Sequence, residues 1–150
     1  MDTTASLGTD ADPDRLFAEV EDLSGYPSWL EIVDRVERAE PHDQDPGPAW
    51  LVDLRGQIGP LRRSKRLRMV RDVHDPPHRV RFVRREVGGR SHSPWTLTAE
   101  VGPGPTGGGS RLQMSLHYGG ALWVPLLDRL LRDEIERSKP RLAERLGREA

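Results

Sequence analysis

The 150-residue sequence predicts an α+β fold in which one curved antiparallel sheet of about seven strands wraps around a long C-terminal helix, with two short helices after the first strand. Three observations predict this arrangement. Apolar and polar residues alternate with a period of two over much of residues 32–118, which is the spacing of half-buried strands. The links between these segments are short and rich in glycine and proline, so neighbouring strands can pair antiparallel. Residues 121–150 carry a helical apolar stripe.

The N-terminal residues predict one strand and two short helices. Thr3–Thr9 alternates and is typical of a bent edge strand. Asp12 and Pro13 predict a helix start, because the Asp12 side chain can accept a first-turn amide and proline has no amide to leave unpaired. Helical spacing then gives this helix one apolar face, formed by Leu16, Phe17, Val20 and Leu23. Tyr26–Leu30 predicts the second, very short helix.

Six further strands follow from the alternation. They are expected over residues 32–40, 50–58, 61–73, 79–87, 95–101 and 112–118. The alternation does not determine which residues of the strand at 32–40 face inward, since Ile32 and Val33 are adjacent apolar residues that cannot face the same side of a sheet. Turn-forming residues separate the strands at 41–48, 75–78, 88–90 and 102–110.

The C-terminal helix is predicted from spacings of four and seven between large apolar residues, namely Leu127, Leu131, Ile135, Leu142 and Leu146. Trp123, Leu126 and Leu130 widen the stripe. Pro140 lies inside the pattern and is expected to kink or offset the helix, because it removes the hydrogen bond to the Glu136 carbonyl.

Composition narrows the class of protein further. Hydrophobic residues make up 35% of the chain, against roughly 45–50% in typical domains. A curved sheet around one helix is therefore expected to enclose more space than its side chains fill. The absence of cysteine excludes disulfides, thiolate catalysis and most structural zinc sites. We expect no cofactor, one domain over residues 1–150 and, since no apolar span or signal peptide occurs, a cytoplasmic location.

Two segments resemble a known family. ADPDRLFAEVEDLSGYPSWLEIV (11–33) is similar to the opening, and GGALWVPLLDRLLRDEIERSKPRLAERL (119–146) to the closing helix, of the START or birch-pollen-allergen (SRPBCC) superfamily, in particular its bacterial polyketide cyclase/dehydrase and lipid-transport group. The resemblance implies a helix-grip fold over nearly the whole chain. Some members of that group close aromatic rings on polyketide chains and others carry apolar ligands. The matching motifs specify the fold rather than an activity.

A ligand cavity in such a fold would be lined by the inward strand faces, the long helix and the segment after the short helices. The apolar candidates are Trp29, Trp50, Phe82, Trp95, Leu97, Leu112, Met114, Leu116, Trp123 and Leu127. The alternative interpretation is that the same side chains simply fill the core.

The candidates for orienting a ligand or for catalysis are Arg84 and Tyr118, which have inward parity, and His92, which is expected near a strand end or the cavity rim. Arg84 could hold a carboxylate or enolate, Tyr118 could donate a hydrogen bond, and His92 could exchange protons near neutral pH. If Arg84 is buried it must pair with a ligand or with Glu86. The alternative is that Arg84 and Glu86 are solvated where their strand leaves the core. No nucleophile elbow, phosphate loop or metal-ligand spacing is found in the sequence.

Residues 61–90 hold eleven basic and three acidic side chains, although the net charge of the whole chain is −1. Outward members of the Arg62–Arg90 region could attract anionic surfaces. A salt-bridged sheet face is the preferred interpretation, and nucleic acid is the least favoured partner, because no aromatic residues are interleaved for base stacking.

The sequence thus predicts binding of a small or medium hydrophobic ligand, such as a lipid, polyketide or isoprenoid, by a monomer or homodimer. The alternatives are a polyketide cyclase or dehydratase, and an interaction module that uses the arginine-rich strands.

Overall fold

A single seven-stranded sheet organises the molecule in the computed structural model, which describes residues 2–58, 61–88, 92–104, 108–119 and 124–147. The strands are Asp2–Thr9 (β1), Val33–Arg38 (β2), Ala49–Ile58 (β3), Leu61–Asp75 (β4), Arg79–Arg84 (β5), Trp95–Pro103 (β6) and Ser110–Tyr118 (β7). The helices are Pro13–Val20 (α1) and Val124–Gly147 (α2), with a 3₁₀ helix at Leu23–Ser28.

The sheet has the strand order β1-β7-β6-β5-β4-β3-β2, and every neighbouring pair is antiparallel. Strands β2 to β7 therefore follow one another as a meander, and β1 joins the free edge of β7. The predicted α+β class, the seven strands and the long C-terminal helix are confirmed.

A bulge explains the open register at the start of β2. Val33 pairs with Leu54, whereas Arg35 pairs with Asp53, so one extra residue is accommodated between them. Val33 is buried, and Ile32 precedes the strand. Because a bulge admits one unpaired residue and increases the local twist, alternation alone could not fix this register.

The start of α1 follows the sequence prediction. The Asp12 carboxylate accepts a hydrogen bond from the Arg15 amide at 2.9 Å, and Leu16, Phe17 and Val20 are buried. The second helix begins at Leu23 rather than at the predicted Tyr26, because Asp22 caps it by accepting a hydrogen bond from the Ser24 amide at 2.8 Å.

Strand β5 is shorter than predicted, ending at Arg84 instead of residue 87. The Arg68 amide on β4 donates to the Glu86 side chain at 3.0 Å, whereas the Arg85 amide still donates to the Arg68 carbonyl at 3.0 Å. A side chain thus replaces the backbone partner that a longer strand would have supplied, and the ladder stops there.

Helix α2 continues through Pro140. Leu142 and Leu146 of the predicted stripe are buried in the core, and Ile135 is partly buried, whereas the side chains of Leu127 and Leu131 lie outside the described part. The C-terminal end of α2 is tied to α1 by Arg145, whose Nε lies 3.2 Å from a Glu19 carboxylate oxygen. In the described ranges, no helix combines the length and the apolar composition needed to cross a membrane.

Candidate functional site

A cavity of about 80 Å³ lies between α2 and the half of the sheet formed by β1, β7 and β6. The strands contribute Thr3, Ala5, Ser6, Leu7, Leu97, Leu112, Met114 and Leu116 to its wall. The segment after the 3₁₀ helix contributes Trp29, Leu30 and Ile32, and α2 contributes Glu134, Ile135, Ser138, Lys139 and Leu142. Apolar side chains therefore form most of the wall, and a few polar residues border it on both the helix and the β1 side.

The register of the sheet explains why the space is left open here. Met114 on β7 pairs with Ala5 on one side and Ala99 on the other. Leu116 pairs with Thr3 in the neighbouring row of the same face. β1 thus places small side chains in these two rows, beside Leu116 and Met114, and less volume is filled there.

Five of the apolar residues proposed from the sequence come together at this cavity, namely Trp29, Leu97, Leu112, Met114 and Leu116. Trp50 and Phe82 lie elsewhere on the concave face and are packed in T-shaped contact, with ring centroids 5.6 Å apart. Tyr26 from the 3₁₀ helix packs against the Phe82 ring at 6.4 Å and the Trp29 ring at 4.8 Å. Trp50 and Phe82 are thus part of a filled aromatic cluster.

The remaining proposed residues of the apolar set divide between a second aromatic pair and positions outside the described part. Trp95 and Tyr118 are paired across β6 and β7 and form a T-shaped contact, with ring centroids 4.6 Å apart. Both are buried, and neither contributes to the wall of the cavity. Trp123 lies outside the described residues, as does the side chain of Leu127.

The Arg84 side chain is only 8% exposed, and each nitrogen of its guanidinium has a partner within the protein. Its Nε donates to Glu86 Oε1 at 3.1 Å, its Nη1 donates to the Ser93 carbonyl at 3.2 Å, and its Nη2 lies 3.4 Å from Nδ1 of the exposed His92. The buried arginine thus pairs with Glu86 and is held by the segment that precedes β6. Its guanidinium is oriented without any bound molecule.

Sequence reasoning missed Lys65, which lies beside this cluster. Its Nζ is 5.9 Å from the centre of the Trp95 ring. Desolvation, followed by the charge of Arg84, lowers the pKa of the Lys65 ammonium. The signal was present, because Lys65 has the same parity along β4 as the buried residues Leu67 and Met69.

Glu134 and Ser138 on α2 were also missed. They lie three and seven residues after Leu131, so they belong to the inward stripe of the helix by spacing. Polar side chains within an apolar stripe are weak evidence in a sequence, since the edges of any amphipathic helix contain them. Only the structure shows that these two residues line the cavity.

The arginine-rich strands hold much of their charge in ion pairs on the convex face of the sheet. Three pairs are Arg66 with Asp53 at 2.7 Å, Arg68 with Asp45 at 2.6 Å and Arg81 with Asp72 at 2.8 Å. Arg68 is buried and also donates to the carbonyls of Glu40 and Arg85. Its hydrogen bonds lower the pKa of the Asp45 carboxyl to about 2. The side chains of Arg62 and Arg63, and all of Arg90, lie outside the described part.

Comparison with protein families identifies the chain. The model of the family described as "Polyketide cyclase / dehydrase and lipid transport" matches residues 2–147. The chain belongs to this family. Its description covers both enzymes and carriers, so membership by itself does not choose between catalysis and transport.

Solved structures agree with the fold of this polyketide cyclase/dehydrase and lipid transport family member. A protein from Thermus thermophilus is 18% identical with a TM-score of 0.76, and the match covers 100% of both chains. A START superfamily protein from Mycobacterium smegmatis is 13% identical with a TM-score of 0.74, covering 99% of both chains. The predicted membership of the polyketide cyclase/dehydrase and lipid-transport group is confirmed by the family match, and these solved structures confirm the START-like fold. A search of curated proteins finds no match.

Side chains that could bind a metal do not cluster in the part of this family member that is described. No group of three or more histidine or acidic side chains in these ranges could hold a metal ion. The two features that could act on a molecule are the apolar cavity and the polar cluster of Arg84, Glu86 and His92.

Proposed function

We propose that the protein binds a small or medium apolar ligand in the cavity between the sheet and α2. The observation that carries the proposal is the wall itself, in which Leu97, Leu112, Met114 and Leu116 from two strands face Ile135 and Leu142 from the helix. Burying an apolar molecule there removes its surface from water without requiring the protein to form new polar contacts.

The size of the cavity limits what it holds in the present conformation. At about 80 Å³, it is smaller than the roughly 150 Å³ engineered cavity that accepts benzene. A long-chain lipid or a polyketide would therefore require α2 to move away from β1. Compact ligands, or one end of a longer apolar ligand, fit the space with less rearrangement.

A cavity-filling substitution tests the proposal. N-phenylnaphthylamine is a longer apolar ligand, so only one end of this fluorophore is expected to enter the cavity. Ala5→Leu places a larger side chain there and should weaken its binding about tenfold or more, because the space becomes occupied. Thr4→Leu is the matched control, since Thr4 is the adjacent residue of β1 and is exposed. Fluorescence titration gives the two Kd values. Equal affinity in wild type and Ala5→Leu would refute the cavity as the binding site.

The second candidate function is ring closure or dehydration of a polyketide-like substrate. It is supported by the family description and by the buried Arg84 beside Glu86 and His92. It is weakened by the use of the Arg84 donors within the protein. Native mass spectrometry after incubation with a host lipid extract distinguishes the two functions. A bound molecule that persists unchanged supports a carrier, whereas progressive loss of one water mass from the bound species supports a dehydratase.

The third alternative, an interaction module on the arginine-rich strands, has less support. Arg66, Arg68 and Arg81 already have carboxylate partners within 3 Å on the same molecule. An anionic partner would have to compete with these pairs, which lowers its net gain.

A further inference from the structure

Lys65 on β4 is an exposed cation that forms no ion pair with any acidic side chain of the described part. The other lysine of the chain, Lys139, pairs with Glu136 at 2.8 Å. The residue after Lys65, Arg66, pairs with Asp53 at 2.7 Å. The Lys65 ammonium is therefore accessible to a partner from outside the protein.

Apolar groups surround this ammonium. Leu54 lies directly opposite Lys65 in the pairing of β3 with β4, and the centre of the Trp95 ring lies 5.9 Å from the Lys65 Nζ. Water is partly excluded from the charge, and this desolvation is the main cause of the lowered pKa of Lys65. Leu54 is itself only partly buried, so it offers apolar surface to a molecule that is bound at Lys65.

A second positive charge acts on Lys65 and is fixed in place. The charge of Arg84 also lowers the pKa of the Lys65 ammonium, and the Arg84 guanidinium is held by Glu86 at 3.1 Å and by the Ser93 carbonyl at 3.2 Å. Glu86 acts on Lys65 in the opposite direction, but the same carboxylate also pairs with Arg84. Two cations thus share one acidic group, and one positive charge of the three is left over.

We propose that Lys65 binds the carboxylate of a small organic acid that has an apolar body. The ammonium donates hydrogen bonds to the carboxylate, the charge of Arg84 adds to the attraction, and Leu54 contacts the hydrocarbon part. An ion pair formed at a partly desolvated ammonium is stronger than one formed in open water. Phosphate suits the site less well, because the guanidinium fork that would hold two of its oxygens is already used by Glu86 and Ser93.

This site is separate from the cavity. Neither Lys65 nor Trp95 contributes to the cavity wall. The proposal therefore goes beyond the proposed function and does not depend on it.

The test is an NMR titration of the whole chain with isotope-labelled lysine ε-carbons, in which Lys65 and Lys139 give separate signals. Lys65→Arg assigns them, because it removes one of the two. Sodium hexanoate, added near neutral pH at constant ionic strength, should shift the Lys65 signal to a saturable end point. Hexanol, which has the same chain length and no charge, should not. Acetate should bind about tenfold more weakly than hexanoate, because it has little apolar surface to bury.

Glu86→Gln makes the test specific for the charge of the cluster. Glutamine keeps an oxygen that can accept from the Arg68 amide and from Arg84, as Glu86 does, while the competing negative charge is removed. Hexanoate should then bind about fivefold more tightly. Glu100→Gln is the matched control, since it changes the net charge equally at an exposed residue of β6, and it should leave the Kd unchanged.

Three results would overturn the proposal. The first is a saturable shift of the Lys139 signal without one at Lys65, which would place the acid at the cavity wall. The second is an equal response of Lys65 to hexanol and hexanoate. The third is the same Kd for hexanoate in Glu86→Gln and Glu100→Gln. Ala5→Leu should leave this Kd unchanged while it weakens binding of N-phenylnaphthylamine, so failure of the cavity and failure of the Lys65 site are observed separately.

Discussion

The two halves of the concave face are built from the same alternating strand pattern and differ in how they are filled. On β3, β4 and β5, inward positions hold Trp50, Met69 and Phe82, all buried, and Tyr26 packs onto them from the 3₁₀ helix. On β1, the inward positions Thr3 and Ala5 are small, and a cavity remains under α2. Alternation determines which side chains face inward, and their volumes determine whether the space is closed.

The two halves also differ in the helix that covers them. The filled half is covered by the 3₁₀ helix, which lies close enough for Tyr26 to donate a hydrogen bond to the Val20 carbonyl at 2.9 Å while its ring meets Phe82. Burial raises the pKa of the Tyr26 phenol, so the group remains a neutral donor. The cavity half is covered by α2, whose wall residues include polar ones. One half of the concave face is thus tightly packed, and the other half encloses the cavity.

Truncation in the filled half should have the largest effect on stability. Phe82→Ala is expected to lower the free energy of unfolding by about 4 kcal/mol, because a fully buried ring is lost from a packed cluster. Leu116→Ala, in the same cross-strand row but at the cavity, should cost only about 2 kcal/mol. Urea unfolding measures both. A loss at Leu116 as large as that at Phe82 would contradict the difference between the halves.

A substitution on the convex face should lower stability without changing ligand affinity. Asp45→Ala leaves the buried Arg68 without its carboxylate and should cost about 3 kcal/mol. Asp53→Ala is the control, because its partner Arg66 is 55% exposed, and it should cost less than about 1 kcal/mol. N-phenylnaphthylamine titration should give the wild-type Kd for both variants, and a changed Kd would show that the two faces are coupled.

The ion pair of Asp45 and Arg68 makes the stability of the protein depend on pH in a direction that follows from the pKa of Asp45. The pKa of Asp45 is lowered in the folded protein from 3.8 to about 2. The ionised Asp45 therefore contributes fully to the free energy of unfolding above pH 3.8, and this contribution is lost as the pH falls towards 2. The loss of stability of Asp45→Ala over this range should therefore be shallower than that of wild type. Parallel curves from acid-dependent thermal unfolding would mean that the pair does not act as described.

The sharpest contrast compares two alanines that flank the same residue. Ala99 and Ala5 both pair with Met114, but Ala99 is fully buried and Ala5 lines the cavity. Ala99→Leu should cost about 2 kcal/mol by overpacking, whereas Ala5→Leu should change stability by less than about 0.5 kcal/mol, because the added atoms enter empty space. Urea unfolding measures both. Similar losses of unfolding free energy in the two variants would show that the two halves are packed equally tightly.

Much of the fold could be predicted because the deciding signals are local. The Asp12-Pro13 start, the alternation in each strand and the leucine stripe of α2 each lie within one segment. The end of β5 and the register of β2 could not be predicted, because there a residue distant in sequence competes with the local pattern. Glu86 ends β5 by bonding the Arg68 amide, and the bulge at Val33 is set by pairing with β3.

The candidate site was only partly predictable from the sequence. Leu97, Leu112, Met114 and Leu116 could be named from parity, but Trp50 and Phe82 have the same parity and lie in the filled half. Ala5 and Glu134 carry no signal as wall residues, because an alanine on an edge strand and a glutamate on a helix are ordinary at either place.

By itself, the sequence determined the order of the elements, the face that each strand buries and the shortage of apolar volume, since these depend on spacing and composition along one chain. Only the tertiary structure decided where the unfilled volume lies and which residues line it. Those properties depend on the rows formed by Thr3, Ala5, Leu97, Met114 and Leu116 across β1, β7 and β6, and on the place where α2 crosses them. Because each row joins residues that are far apart in sequence, the total side-chain volume in a row is fixed only by the pairing of the strands.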